Sequence, residues 1–255
     1  LSTTTLTFTV TDGRTSQPET ADPTKLSEAN LENGTSPSEE ALTAQGSITL
    51  ADPDNPHITG VTNSHGDAAT ADPKSGDWQI QGSYGTLTID ADGKYSYTLT
   101  TAGVHAGGEQ ETFTYTVTDA HGNVTTSTLS FTIADDAPIA TADTGSLQSG
   151  VTVAADAVHG VLANDVTGAD GNLQVVGVAA GGTETAPSDH VGAAIVTTLG
   201  TLTLNADGSY SYQANPNESG TDTFTYTVKD ADGSLSTTTL TFTVTDGRTS
   251  QPETA

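Results

Sequence analysis

Phe113, Tyr115 and Val117 alternate with Thr114 and Thr116, and Leu240, Phe242 and Val244 alternate with Thr241 and Thr243. A period of two places every apolar side chain on one face of an extended chain and every threonine on the other. That pattern describes a half-buried antiparallel strand with one face on a core and one in water. Threonine suits the wet face because its β-branched side chain favours extended backbone. The segments Asp90 to Gly93 (DADG) and Asn205 to Gly208 (NADG) each sit between two such strands. They read as hairpin turns in which Gly takes a positive φ. No helical periodicity longer than a turn is visible. Short strands with turn signals about every eight to twelve residues predict an all-β chain of immunoglobulin-like sandwiches.

The sequence also repeats. Residues 1–21 recur letter for letter as residues 235–255, an offset of 234. Fixed-period self-similarity marks a tandem array. A second repeat lies inside the first: residues 84–133 align with residues 199–244 after one gap of four. Both contain GTLT, then ADG followed by KYSY or SYSY, then TFTYTV, an Asp-rich turn, and TLSFTI or TLTFTV. The expected organisation is two related domains, residues 13–134 and 135–246. Residues 1–12 are the last strand of a preceding repeat, and 247–255 a linker to the next. Residues 1–10 then lack a sheet of their own, so they are expected to be disordered or added to an exposed edge of another molecule. Proline in each linker gives stiffness.

Length agrees, since 255 residues can supply two viable cores. Thirty-two acidic residues face six basic ones, a formal charge of −26. Nucleic acid and anionic lipid both need a basic patch, so neither is an expected partner. Such self-repulsion weakens a compact state unless cations bind. There is no cysteine, hence no disulfide and no thiol chemistry. No run approaches the ~18 apolar residues of a membrane helix, so no direct membrane insertion is expected. No signal peptide is visible. The six histidines lack paired zinc spacing and no GxSxG occurs, so the chain is not expected to be an enzyme.

These motifs resemble two related repeat families of giant bacterial surface adhesins. The first domain, with GSITLADPDNP, YGTLTIDADGKYSYTL and ETFTYTVTDAHG, resembles a VCBS-type repeat. The second, with DAPIATAD, GVLANDVTGADGNLQVVGV and GTDTFTYTVKDADG, resembles the bacterial cadherin-like repeat. The resemblance covers nearly the whole chain. It implies two tandem immunoglobulin-like (cadherin-like) β-sandwich domains in an elongated array. It further implies an RTX-type biofilm adhesin at the bacterial cell surface, exported by type I secretion and stiffened by calcium between domains. Where the family often carries an NDxDxDGD loop, this chain has Asn164, Asp165, Val166, Thr167, Gly168, Ala169, Asp170, Gly171 and Asn172. Ligands are thinner there.

Calcium takes six to eight oxygens from carboxylates, amides and backbone. A junction between sandwiches offers Asp119 from the end of the next-to-last strand, Asp135, Asp136 and Asp143 from the linker, and Asn164, Asp165, Asp170 and Asn172 from the facing loop. Asp52 with Asp54 is a second candidate, and Asp230 with Asp232 a third by equivalence with Asp119. Asp12 and Asp22 are the linker counterparts before the first domain. Each Asp alone reads equally as a turn or capping residue. Calcium at about 100 times its dissociation constant adds about 2.7 kcal/mol per site, large against a stability of about 5–15 kcal/mol. The expected function is a structural extender of a long adhesin: monomeric, contacting neighbouring repeats of its own chain, and projecting a distal ligand-binding region. The alternative is a carbohydrate- or protein-binding module. Trp78 and Tyr84, which lack counterparts in the second domain, are its candidates for a weak glycan contact.

Overall fold

The computed structural model describes residues 3–11, 14–15, 26–51, 55–103, 105, 107–182 and 186–247. The chain divides into two compact units, Leu1–Asp136 and Ala137–Ala255. Unit 1 carries β1 (Thr3–Thr11), β2 (Arg14–Thr15), β3 (Leu26–Ser27), β4 (Thr43–Ala51), β5 (His57–Thr62), β6 (Thr70–Ala71), β7 (Trp78–Gln81), β8 (Gly85–Ile89), β9 (Lys94–Leu99), β10 (Glu109–Thr118) and β11 (Val124–Ala134). Unit 2 carries β12 (Asp143–Gln148), β13 (Thr152–Ala155), β14 (Gln174–Ala180), β15 (Ala194–Val196), β16 (Gly200–Leu204), β17 (Tyr210–Ala214), β18 (Gly220–Lys229) and β19 (Leu235–Thr245). Two single 3₁₀ turns, Glu28–Asn30 and Glu39–Leu42, are the helical segments among the described residues.

Each unit is a sandwich of two sheets. In unit 2 the sheets run β12-β19-β18-β14 and β13-β17-β16-β15. In unit 1 they run β3-β11-β10-β5 and β2-β1-β4-β9-β8-β7-β6. The long hairpins β10–β11 and β18–β19 are antiparallel without interruption, with Phe113 opposite Leu129 and Phe224 opposite Leu240. The alternation works as the sequence predicts: Phe113, Tyr115, Val117, Leu240, Phe242 and Val244 are all buried.

The aromatic residues repeated between the two domains form matching cores. Tyr97 stacks on Phe131 at 4.2 Å and Tyr212 on Phe242 at 4.1 Å, each with a second Phe edge-on. Such pairs add about 0.5–1.5 kcal/mol beyond area burial. The glycine of each GTLT motif makes that stack fit. A Cβ on Gly85 would lie 2.6 Å from the Tyr97 ring, and one on Gly200 2.6 Å from the Tyr212 ring. Both ADG turns close as expected, with Gly93 and Gly208 at φ of 88° and 83°.

One expectation is corrected. Residues 3–11 do have a sheet, that of unit 1. Strand β1 runs parallel to β4 from Thr3 opposite Gln45 to Thr9 opposite Ala51. The free edge of β4 supplies unpaired backbone groups, and an amphipathic strand satisfies them.

Candidate metal centre

Unit 2 begins with a short bracing of its entering strand. Ile139 and Val166 exchange backbone hydrogen bonds at 2.9 and 3.0 Å, the Ala140 amide donates to Ser236 Oγ at 3.1 Å, and the Thr141 amide donates to Asp165 Oδ1 at 2.7 Å. Two acidic nests lie around this entry.

The inner nest joins Asp143, Asn164, Asp165 and Tyr226. The Tyr226 hydroxyl donates to Asp143 Oδ2 at 2.7 Å, and Asn164 Nδ2 donates to the Ala142 carbonyl at 3.4 Å. Asp165 Oδ2 is buried and accepts no hydrogen bond. Burial pushes the Asp165 carboxyl up to about 6, the Thr141 amide opposes that shift, and the charge of Asp143 adds to it. Burial raises Asp143 as well, against the hydroxyl of Tyr226.

The outer nest is Asp170, Asp230 and Asp232, whose carboxylate oxygens lie within 4.8 Å of one another. Asp230 closes the β18–β19 hairpin: its Oδ1 accepts the amides of Gly233 at 3.0 Å and Ser234 at 2.7 Å. Asp232 Oδ1 accepts the Ser234 amide at 3.0 Å. The loop bearing Asp170 is held against the hairpin by the Ala231 amide, which donates to the Gly171 carbonyl at 3.2 Å. Asp230 is 3% exposed, yet its Oδ2 accepts no hydrogen bond. Desolvation, then the neighbouring Asp232 carboxyl, push Asp230 up to about 7. A buried carboxylate oxygen without a hydrogen bond, on a residue grouped with two further carboxylates, is costly without a cation. The hard oxygen donors and their spacing fit Ca²⁺, which binds carboxylates at about 2.3–2.6 Å.

The structure regroups the sequence candidates. Asp170 joins Asp230 and Asp232, which the sequence places in a separate site. Asp119 leaves the junction altogether, because the β10–β11 hairpin it closes is separated from Asp135 by the whole of β11. Eleven extended residues span about 35 Å. Both Asp119 oxygens are also committed: Oδ1 accepts the amides of His121 and Asn123, and Oδ2 accepts Asn123 Nδ2 at 2.7 Å. The Asn123 side chain, first among these partners, holds the Asp119 carboxyl below its ordinary value. The reason is readable in the paired turns. Unit 2 has DADGS at residues 230–234, whereas unit 1 has DAHGN at 119–123: His121 stands where the nest has Asp232, and Asn123, which donates to Asp119, stands where unit 2 has Ser234.

Asp136 is buried, and Thr35 donates to it from both its amide (2.8 Å) and its hydroxyl, which ties down the end of unit 1. Asn172 is an exposed turn residue with φ of 53°, which accounts for an asparagine there without a ligand role. Asp12, Asp22, Asp52 and Asp54 lie outside the described residues. The sequence reading missed Glu28. It is fully buried in unit 1, with a carboxylate oxygen within 4.8 Å of one on Asp135. No spacing motif marks it. Trp78 and Tyr84 are half-buried against the core of unit 1, and the Tyr84 hydroxyl donates to Glu109. No helix among the described residues is long and apolar enough to cross a membrane.

The chain is similar to several known proteins. The calcium-binding lectin RapA2 of Rhizobium johnstonii (strain DSM 114642 / LMG 32736 / 3841) is 36% identical over 118 residues, covering 42% of this chain and 48% of the lectin. The chain therefore spans about half the length of that relative. Among solved structures, Drosophila N-cadherin EC1-4 aligns with 78% of this chain and 53% of its own at 10% identity and a TM-score of 0.30. Mouse clustered PcdhgC3 EC1-3 aligns with 80% of this chain and 76% of its own at 14% identity and a TM-score of 0.29. The family described as bacterial cadherin-like domain matches residues 24–135 and again residues 135–246. The chain belongs to the bacterial cadherin-like domain family, as two tandem copies.

Proposed function

We propose that this chain is an extender segment of a long bacterial surface adhesin, and that calcium held by its acidic nests rigidifies the array. The observation that carries the reading is Asp230 Oδ2, buried without a hydrogen bond among three carboxylates. Calcium supplies the missing partner. Bound at about 100 times its dissociation constant, one ion adds about 2.7 kcal/mol. In this reading the parent is an RTX-type adhesin with VCBS-type and cadherin-like repeats, exported by type I secretion and folded outside the cell, where calcium is abundant. It projects a distal binding region for adhesion and biofilm formation, and performs no catalysis itself. The test is calorimetry and solution scattering with calcium and after thorough chelation. Chelation is expected to lower the melting temperature and broaden the distribution of dimensions; unchanged melting and scattering reject the calcium role.

A second reading, a carbohydrate-binding module, is favoured by the 36% identity to a calcium-binding lectin. Calcium-dependent glycan binding that is lost in Trp78→Ala would establish it in place of the spacer role. The half-buried placement of Trp78 and Tyr84 favours the spacer.

A further inference from the structure

The sheet of unit 1 that holds β4, β9, β8, β7 and β6 has one face on the core and one in water. Ala44, Tyr95, Tyr97, Leu87, Ile89 and Ile80 take the inner face. Alternation puts the residues between them on the outer face, and the register aligns these across the sheet. Gln45 is opposite Ser96, Ser96 opposite Thr88, Thr88 opposite Gln79, and Gln79 opposite Thr70. A second row, two residues along each strand, runs Thr43, Thr98, Thr86 and Gln81. Adjacent strands lie about 4.8 Å apart, so the first row is about 19 Å long, with the second about 7 Å from it.

This face departs from the rest of the chain in its chemistry. The chain has 32 acidic residues, yet neither row holds a charge; every member is a hydroxyl or a carboxamide. The sandwich itself does not require the carboxamides. In unit 2, Ala194 and Val196 of β15 stand opposite Thr203 and Thr201, where Gln79 and Gln81 of β7 stand opposite Thr88 and Thr86. Likewise Ala154 is opposite Ser211 where Gln45 is opposite Ser96. Gln45, Gln79 and Gln81 are all exposed, so burial gives no reason for them. Gln81 is also oriented: Thr86 Oγ1 donates to its Oε1 at 2.6 Å, and its Nε2 donates to the Gly85 carbonyl at 3.1 Å. Two shallow depressions open on the face. One is lined by Gln45, Ser96, Thr88 and Lys94 together with Asp77 and Asp90, the other by Gln79, Gln81, Thr86 and Thr70 together with Asp72.

A ligand for such a surface carries many groups that both donate and accept, and no charge of its own. Hydroxyls and carboxamides do both, as do the hydroxyls of a sugar, and Asp77 and Asp90 can accept from further hydroxyls. A polyanion is repelled by a chain of net charge −26. A peptide strand adds to a sheet edge, not to a face whose backbone is already paired.

We propose that the outer face of β4, β9, β8, β7 and β6 binds a neutral polysaccharide laid across the strands, along the row from Gln45 to Thr70. Gln45 and Gln79 supply the principal hydrogen bonds, with Gln81 and Thr86 beside them. The site adds a glycan contact to a spacer, and it differs from the carbohydrate reading above in residues and in calcium dependence. Trp78 packs toward the core, on the opposite side of β7 from Gln79. No member of either row is a candidate metal ligand.

Native electrophoresis of the full chain through gels containing dextran, galactomannan or a mixed-linkage β-glucan tests the site, with alginate as the acidic counterpart. At least one neutral polymer should retard the chain and alginate should not. Retardation should be equal in calcium and in chelator, at a temperature where the chain stays folded in both. Gln79→Ala/Gln81→Val gives unit 1 the residues that unit 2 carries at those positions, so it should fold, which circular dichroism checks. Its apparent affinity should fall at least roughly five-fold, the equivalent of one neutral hydrogen bond. Gln45→Ala, on a different strand, should weaken binding independently, and Ala194→Gln/Val196→Gln should strengthen it. Equal retardation of the parent, Gln79→Ala/Gln81→Val and Gln45→Ala overturns the site. So does retardation that chelation abolishes, which belongs to the calcium-dependent reading, and so does free passage of the parent through every neutral polymer.

Discussion

The hydroxyl of Tyr212 donates to Oδ2 of Asp222 at 2.8 Å inside unit 2, and in unit 1 Tyr97 meets Glu111 in the same way. The acid lies two residues before the edge-on phenylalanine of each core, so a carboxylate is built into the same position of both sandwiches. Asp222 also accepts the Thr197 hydroxyl at 2.6 Å, and Glu111 accepts the amides of Ser83 and Tyr84. Each acid therefore pins the bend that leads into the GTLT strand. Hydrogen bonds to a charged group contribute about 1.5–3 kcal/mol, and stranding their buried partners costs more than the mean. Asp222→Ala should lower the stability of unit 2 by about 2–3 kcal/mol in calcium-saturated urea titrations. Tyr212→Phe, which removes one donor, should cost less.

Asp230→Asn separates the turn from the metal. An asparagine keeps an oxygen for the amides of Gly233 and Ser234 but removes one of three clustered charges. Without calcium the variant should be as stable as the parent or more so, since like charges no longer crowd a desolvated site. With calcium it should lose most of the rise in melting temperature seen for the parent. Calorimetry of both proteins with and without chelator reads the difference, and an equal calcium response in the two would contradict the assignment.

The pH response should change sign with calcium. In the metal-free fold burial holds the proton on Asp230 up to about 7 and on Asp165 up to about 6, whereas the unfolded chain releases them near the ordinary aspartate value of 3.8. Between these limits the folded state binds more protons, so stability falls as pH rises from about 4, and the full penalty is present above about 7. Calcium displaces those protons and competes better as pH rises. Unfolding titrations from pH 5 to 8 should therefore show declining stability of unit 2 in chelator and level or rising stability in calcium.

Asp119 supplies the contrast. Its oxygens are filled by His121 and Asn123, so Asp119→Ala should destabilise unit 1 by about 1–2 kcal/mol through loss of the turn bonds. Calcium affinity measured by isothermal titration should not change. A loss of affinity would return Asp119 to the metal ligands.

The strands of the chain were legible in advance because a period of two in apolar residues leaves one solution: Phe113, Tyr115, Val117 and their counterparts must share a buried face. The duplicated GTLT, ADG and TFTYTV motifs likewise showed two related sandwiches, since each motif serves a local turn or pairing. The metal candidates were legible only as a list. Spacing along the chain does not tell which end of an eleven-residue strand an aspartate occupies in three dimensions, and that distance removed Asp119 from Asp135. Nor does it show which loop folds back on a hairpin. The Ala231–Gly171 hydrogen bond, joining residues sixty apart, is what brings Asp170 to Asp230. Burial acts over the same range: Asp230, Asp222 and Glu28 look like any other acid in the sequence. Local pattern thus determined the strands and their repetition. Tertiary packing alone decided which carboxylates lose water together, and desolvation is what sets those aspartates apart from the solvated ones.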